Sequence, residues 1–252
     1  MILSEAGLNT EFYTLVSSER LTANVSLLRF SGNTEAITTP GQFAAVSLPG
    51  FFLRRPFSVF DWGPGWLELL VEKAGQGTFL LQETKPGSRL EIMTGLGNGF
   101  SLESAGDAPL LIGGGTGLSP LLALAKHLSA LCVAPKVLLG FRSSGDVCCL
   151  DRFTAYTDCL TVYTDDGSFG LRGLVTDSDL LQSCGKFYAC GPRAMLRTLC
   201  ARCEAPGELS LDVRMGCGFG ACMGCSIRTA SGMKRVCKDG PVFQKEELLW
   251  DN

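Results

Sequence analysis

Leu110-Leu111-Ile112-Gly113-Gly114-Gly115-Thr116-Gly117-Leu118-Ser119-Pro120 runs three apolar residues into a glycine turn and then into an apolar stretch reaching about Ala130. The pattern reads as a buried strand, a tight turn and a helix. At such a turn the phosphates of a dinucleotide can approach the backbone closely, because glycine has no side chain to obstruct them. The stretch is not the standard G-x-G-x-x-G fingerprint, and strand-to-helix glycine turns also serve packing alone.

Downstream, Val137-Leu138-Leu139-Gly140-Phe141, Thr161-Val162-Tyr163-Thr164 and Gly185-Lys186-Phe187-Tyr188-Ala189-Cys190 read as further strands, the last leading into a helix that begins near Pro192. Strands alternating with helices predict a parallel, doubly wound α/β sheet. Cys190-Gly191 then falls at a strand's carboxyl end, where such sheets bind ligands. Arg142-Ser143 follows the second strand, where an exposed loop arginine is ordinarily just solvated.

Upstream the texture differs. From Glu11 to about Phe100, β-rich runs (Thr22–Phe30, Phe43–Leu48, Trp66–Glu72, Arg89–Met93) are separated by Pro40-Gly41, Pro49-Gly50, Gly63-Pro64-Gly65 and Pro86-Gly87. This spacing predicts a small antiparallel barrel. Arg55-Pro56-Phe57-Ser58 reads as the close of a β-run, and Gly75-Gln76-Gly77-Thr78 as the opening of a short helix.

After Pro206-Gly207 the chain becomes rich in cysteine and glycine. Cys217-x4-Cys222-x2-Cys225, with Cys237 further on, repeats the spacing that wraps a plant-type [2Fe-2S] cluster. Gly216, Gly218, Gly220 and Gly224 permit the sharp turns such a loop needs. A four-cysteine zinc site usually brings two short pairs, whereas this spacing is three plus one, which favours iron. The other eight cysteines (Cys132, Cys148, Cys149, Cys159, Cys184, Cys190, Cys200, Cys203) lie among apolar neighbours and read as small buried hydrophobes.

A formal net charge of −3 offers no basic field for nucleic acid. No apolar run reaches the roughly 18 residues of a spanning helix, and the amino-terminal stretch carries no secretory signature, so a soluble, cytoplasmic protein with reduced thiols and no membrane partner is expected. The single histidine, His127, sits within the Leu118–Ala130 helix as an ordinary, partly buried residue. No acid–base constellation stands out.

Arg55-Pro56-Phe57-Ser58 with the downstream Gly77-Thr78 resembles the flavin domain of the ferredoxin–NADP reductase superfamily. The resemblance implies that Arg55 neutralises the FAD diphosphate, Ser58 and nearby backbone bond the isoalloxazine edge, Phe57 lies beside the ring, and the helix start at Gly77-Thr78 faces the pyrophosphate. It also places the backbone of Leu70, Val71 and Glu72 along the cofactor, although Glu72 stands where relatives often carry a basic residue. Gly115, Thr116, Gly117, Cys190 and Gly191 resemble the superfamily's nicotinamide site, and Arg142-Ser143 stands where some relatives hold the 2′-phosphate of NADP, although the resemblance favours NAD.

Together with Gly95–Phe100, Asp165–Gly170 and Lys234–Phe243, these stretches resemble the electron-transfer subunits of heteromeric, NAD-linked (class 1B) dihydroorotate dehydrogenases along essentially the whole chain. That resemblance implies an FAD-binding barrel over 1–102, an NAD-binding α/β domain over 103–208 and a [2Fe-2S] module over 209–252, ligated by Cys217, Cys222, Cys225 and Cys237. It implies electron transfer from NADH through FAD and the cluster to an FMN-containing catalytic subunit that makes orotate, two of each subunit forming a heterotetramer. Hydrogenase-associated or glutamate-synthase-like reductase modules share these motifs, and a zinc-binding adaptor is the reading from a different class.

Overall fold

The computed structural model describes residues 9–103 and 105–250. Strands β1 (Asn9–Arg20), β2 (Val25–Ser31), β3 (Phe43–Val46), β4 (Arg55–Gly63) and β5 (Trp66–Glu72) are followed by helix α1 (Gln76–Gln82) and strand β6 (Arg89–Leu96). They close an antiparallel barrel in the order β1-β2-β5-β4-β3-β6. Tyr13, Leu15, Leu28, Phe30, Val46, Leu69, Val71 and Ile92 fill it, each fully or almost fully removed from water.

Two details depart from the sequence reading. Arg55-Pro56-Phe57-Ser58 opens β4 rather than closing a run. Strand β1 was not anticipated, because Tyr13 and Leu15 are its only buried side chains and a long, mostly exposed strand carries little hydrophobic signal.

The second domain continues with β7 (Leu110–Gly114), α2 (Ser119–Ala130), β8 (Lys136–Phe141), α3 (Leu150–Thr154), β9 (Cys159–Thr164), β10 (Leu171–Arg172), α4 (Leu180–Ser183), β11 (Phe187–Cys190), α5 (Arg193–Arg202) and β12 (Gly207–Ser210). The carboxyl-terminal stretch adds β13 (Ser226–Thr229), β14 (Gly232–Arg235), α6 (Val236–Asp239) and β15 (Val242–Gln244). The sheet runs β10-β9-β8-β7-β11-β12-β15, parallel throughout except that β15 pairs antiparallel with β12. Strand β12 spans the anticipated division at 208/209, and the cysteine-bearing tail supplies the sheet's edge strand. The order reverses between β7 and β11, which creates a crevice at their carboxyl ends.

The domains share their cores. Val25, Leu27, Phe60 and Leu70 of the barrel pack with Leu121, Leu124 and Leu128 of α2, while Phe43, Ala45, Met93 and Leu96 pack with Cys225, Val236 and Cys237 of the tail. Among the described residues no helix is long and apolar enough to cross a membrane.

The eight scattered cysteines divide. Cys148, Cys149, Cys190 and Cys203 are buried as expected, Cys184 and Cys200 are half-buried, and Cys132 and Cys159 are exposed, the last two having been misassigned from apolar neighbours alone. His127 is half-buried, donates from Nδ1 to the Ala123 carbonyl (2.8 Å) and stacks on Trp62 with centroids 4.9 Å apart.

Candidate functional site

At the start of β4 the Arg55 guanidinium is held by the Leu53 carbonyl (2.7 Å) and lies over the Phe51 ring. Its Nε faces Gly77, where a Cβ would lie only 2.7 Å away. Glycine at 77 therefore lets the arginine reach the first turn of α1. Thr78 secures that turn, its Oγ1 accepting from the Ala74 and Gly75 N–H groups (2.8 and 3.0 Å) and donating to the Gly75 carbonyl (3.0 Å). Lys73, unnoticed in the sequence, lines a cleft with Asn24, Gly75, Gln76 and Phe79. Two cations and the unpaired N–H groups of a helix start suit a diphosphate.

Ser58 is half-buried and its carbonyl accepts from Ser119 Oγ at 3.3 Å. Val71 points into the barrel core and Leu70 into the interface with α2, so both are restricted to backbone contacts with a ligand. Glu72 is exposed and accepts from Thr116 Oγ1 at 2.9 Å, tying the end of β5 to the glycine turn. Phe57 is half-buried against the barrel.

The glycine turn and Cys190-Gly191 meet because β7 and β11 are adjacent, with Gly113 opposite Cys190. A Cβ on Gly117 would lie 2.3 Å from the Cys190 carbonyl oxygen and 2.6 Å from Gly191 Cα. Gly115 (φ +54°) and Gly191 (φ +154°) take conformations that favour glycine. Burial, reinforced by the Asp212 carboxylate and only partly offset by a hydrogen bond from Ser210, pushes the Cys190 thiol up to about 12. Cys190 is thus a neutral surface at physiological pH. Asp212, accessible yet surrounded by protein, has its own carboxyl raised by partial desolvation and by Glu72.

In the tail, Cys217 and Cys222 pair through the Cys217 N–H on Cys222 Sγ and the Cys222 N–H on Cys217 Sγ, both 3.4 Å. Cys225 and Cys237 pair through the Cys237 N–H on Cys225 Sγ, also 3.4 Å. Ala221 and Gly224 add N–H donors to Cys217 and Cys222 at 3.2 and 3.4 Å. Burial raises the Cys217 thiol, but the backbone N–H groups of Cys222, Phe219 and Ala221 and the Cys222 thiol outweigh it, bringing it down to about 6. Gly218 and Gly220 have φ of +82° and +92°, and a Cβ on Gly220 would strike the Lys238 side chain. Among the described residues no three His, Cys, Asp or Glu side chains converge on a single ion position. Two thiol pairs fit a two-iron cluster, whose irons each take two protein ligands.

A closed antiparallel barrel joined to a doubly wound sheet, with a cradle at each domain's edge and a cysteine loop at the end, defines a reductase of the ferredoxin–NADP reductase fold class. The chain covers 96% of itself and 91% of the NADH-dependent reduced ferredoxin–NADP oxidoreductase at a TM-score of 0.86 and 29% identity. The ferredoxin reductase in carbazole 1,9a-dioxygenase shares the fold, with a TM-score of 0.66 and 22% identity over 77% of this chain and 66% of that one. Residues 212–249 match the family described as the iron–sulfur cluster binding domain of dihydroorotate dehydrogenase B. The dihydroorotate dehydrogenase B (NAD(+)) electron transfer subunit of Bacillus caldolyticus is 40% identical over 93% of this chain and 96% of that protein, and the one from Clostridium acetobutylicum 32% over 92% and 94%. The chain belongs to this family of electron transfer subunits.

Proposed function

We propose that this chain takes hydride from NADH on FAD and passes electrons singly through a [2Fe-2S] cluster to an FMN-containing dihydroorotate dehydrogenase subunit in pyrimidine biosynthesis. When bound, FAD supplies the conversion between two-electron and one-electron transfer, so its site belongs between the other two. One observation carries the reading: β4, with Arg55–Ser58, touches the glycine turn through the Ser58 carbonyl and Ser119 and pairs with β3, whose Phe43 and Ala45 share a core cluster with Cys225 and Cys237.

In this reading Arg55, Lys73 and the start of α1 at Gly77-Thr78 bind the diphosphate. Pro56, Phe57, Ser58 and the backbone of Leu70, Val71 and Glu72 hold the ring. Gly115, Thr116, Gly117, Cys190 and Gly191 receive NAD, and Cys217, Cys222, Cys225 and Cys237 ligate the irons. The eight cysteines outside the proposed cluster, none of them in a disulfide, support a reducing, cytoplasmic setting. The relatives' designation as a subunit supports a catalytic partner, in a heterotetramer of two of each.

The test is Cys222→Ser in the holocomplex. NADH should still bleach FAD in a rapid-mixing trace while orotate-linked NADH oxidation stops; persistence of the coupled reaction at its original rate would overturn the order. Comparing FAD reduction by NADH and NADPH checks the nucleotide.

A further inference from the structure

We infer that Asn98 is a positioning residue that fixes the cysteine module, and with it Cys237, at a set separation from the flavin strand. The inference rests on the proposed electron path and adds the device that holds its last gap.

Asn98 lies two residues beyond β6 and reaches across to the residues that follow α6. Its Nδ2–H donates to the Val242 carbonyl at 2.8 Å, and its Oδ1 accepts from the Val242 N–H at 2.9 Å. Its own backbone N–H donates to the Gly240 carbonyl at 2.7 Å. One residue thus makes the contacts of a short ladder to a segment 144 positions away. The Asn98 side chain is otherwise exposed, so these contacts, rather than burial, account for an amide here.

The two sides of the latch are firmly seated. Gly97 turns at φ +71°, and a Cβ there would lie 2.5 Å from Pro241 Cδ and 2.8 Å from the Gly240 carbonyl oxygen, so the β6 exit and the tail are in close contact. Gln42 Nε2–H donates to the Gly97 carbonyl (3.3 Å). Leu96 is opposite Phe43, and Phe43 opposite Ser58. Adjacent strands lie roughly 4.8 Å apart, so a rigid route of two strand steps joins the flavin strand to the latch. On the far side, Gly240 follows α6, which carries the buried Cys237.

The chemistry singles out the amide. Asparagine donates and accepts at once, matching Val242's carbonyl and N–H together. Ionised aspartate can only accept, and would set a charge against the Val242 carbonyl; leucine can do neither. Protonated aspartate restores both functions.

The experiment compares Asn98→Leu and Asn98→Asp in the full chain carrying FAD and iron, with two rates and one amide as readouts. Reduction of FAD by NADH should keep its rate, while cluster reduction from FAD should slow about tenfold or more in Asn98→Leu, the scale on which misplacing reacting groups by about an ångström slows a reaction. In Asn98→Asp, which keeps the bond from the Val242 N–H and loses the one to its carbonyl, the second rate should fall between those of Asn98→Leu and the unaltered chain. Hydrogen exchange at the Val242 N–H should accelerate wherever transfer slows. If Asn98→Leu does not retain iron, the intermediate transfer rate and Val242 exchange of Asn98→Asp carry the test. Unchanged cluster reduction with Val242 exposed, or a Val242 N–H still protected in Asn98→Leu, would overturn the inference; NADH failing to reduce FAD in the unaltered chain would instead overturn the proposed function.

Discussion

Gly117 shows how narrowly the proposed nucleotide crevice is drawn. A methyl group at this position would meet backbone, the Cys190 carbonyl and Gly191 Cα, and backbone cannot rotate aside as a side chain can. Gly117→Ala should therefore push the two motifs apart, raising the KM for NADH by about tenfold or more and destabilising the domain by about 1–3 kcal/mol; NADH titration of FAD bleaching and urea unfolding measure the two effects. Cys190 makes a contrasting point. Its thiol, lifted to about 12 chiefly by burial, stays protonated throughout the physiological range, so it contributes shape and not proton transfer. Hydride transfer should show no ionisation attributable to Cys190 between about pH 6 and pH 9, and Cys190→Ala should leave the pH profile of FAD reduction unchanged in form.

At the scale of elements, the hairpin of β4 and β5 is clamped to α2 and α3 by charge. Asp61 and Glu68, 7% and 5% exposed at their side chains, are bridged by Arg152 of α3 at 3.4 and 2.7 Å, with Lys126 of α2 on Asp61 (2.7 Å) and Arg29 on Glu68 (3.1 Å). Each carboxylate keeps one cation if Arg152 is lost. Arg152→Met should then cost about 1–2 kcal/mol rather than the several expected for an orphaned buried charge, as urea unfolding would show. Doubling the change with Lys126→Met should cost more than the sum of the single effects, because Asp61 would then have neither ion-pair partner. Little of this clamp could be read beforehand. Periodicity exposed β5, β7, β8 and β11, since their buried runs are continuous, and the four-cysteine spacing was plain because cluster ligands follow one another along a short loop. Pairings that span the chain left no local trace: Glu72 to Thr116 lies 44 residues apart, Ser58 to Ser119 61, and Asn98 to Val242 144. Strand β15, three residues long, was equally silent, since its pairing with β12 depends on the fold and not on its own pattern.

At the scale of the whole molecule the cysteine loop has two faces. Cys225 and Cys237 are buried against the barrel, while Cys222 is exposed and Cys217 half-exposed. Around the exposed pair stand Phe219 and Met223, 40% and 52% exposed. Apolar side chains left in water beside a redox centre fit a docking face for the proposed catalytic subunit, and an electron leaving by Cys222 would cross there without passing through the barrel. Met223→Asp places a charge on that face without touching a thiol or the Arg55 cradle. It should weaken association with the catalytic subunit by about tenfold or more, since a buried unpaired charge at an interface costs over 1 kcal/mol, while NADH still reduces FAD at the original rate. Sedimentation or calorimetric titration of the two subunits measures the first, and rapid mixing the second. Undiminished association would move the docking face elsewhere, to the exposed Phe52 and Leu53 at the tip before β4, and would lengthen the route an electron must travel to leave the protein.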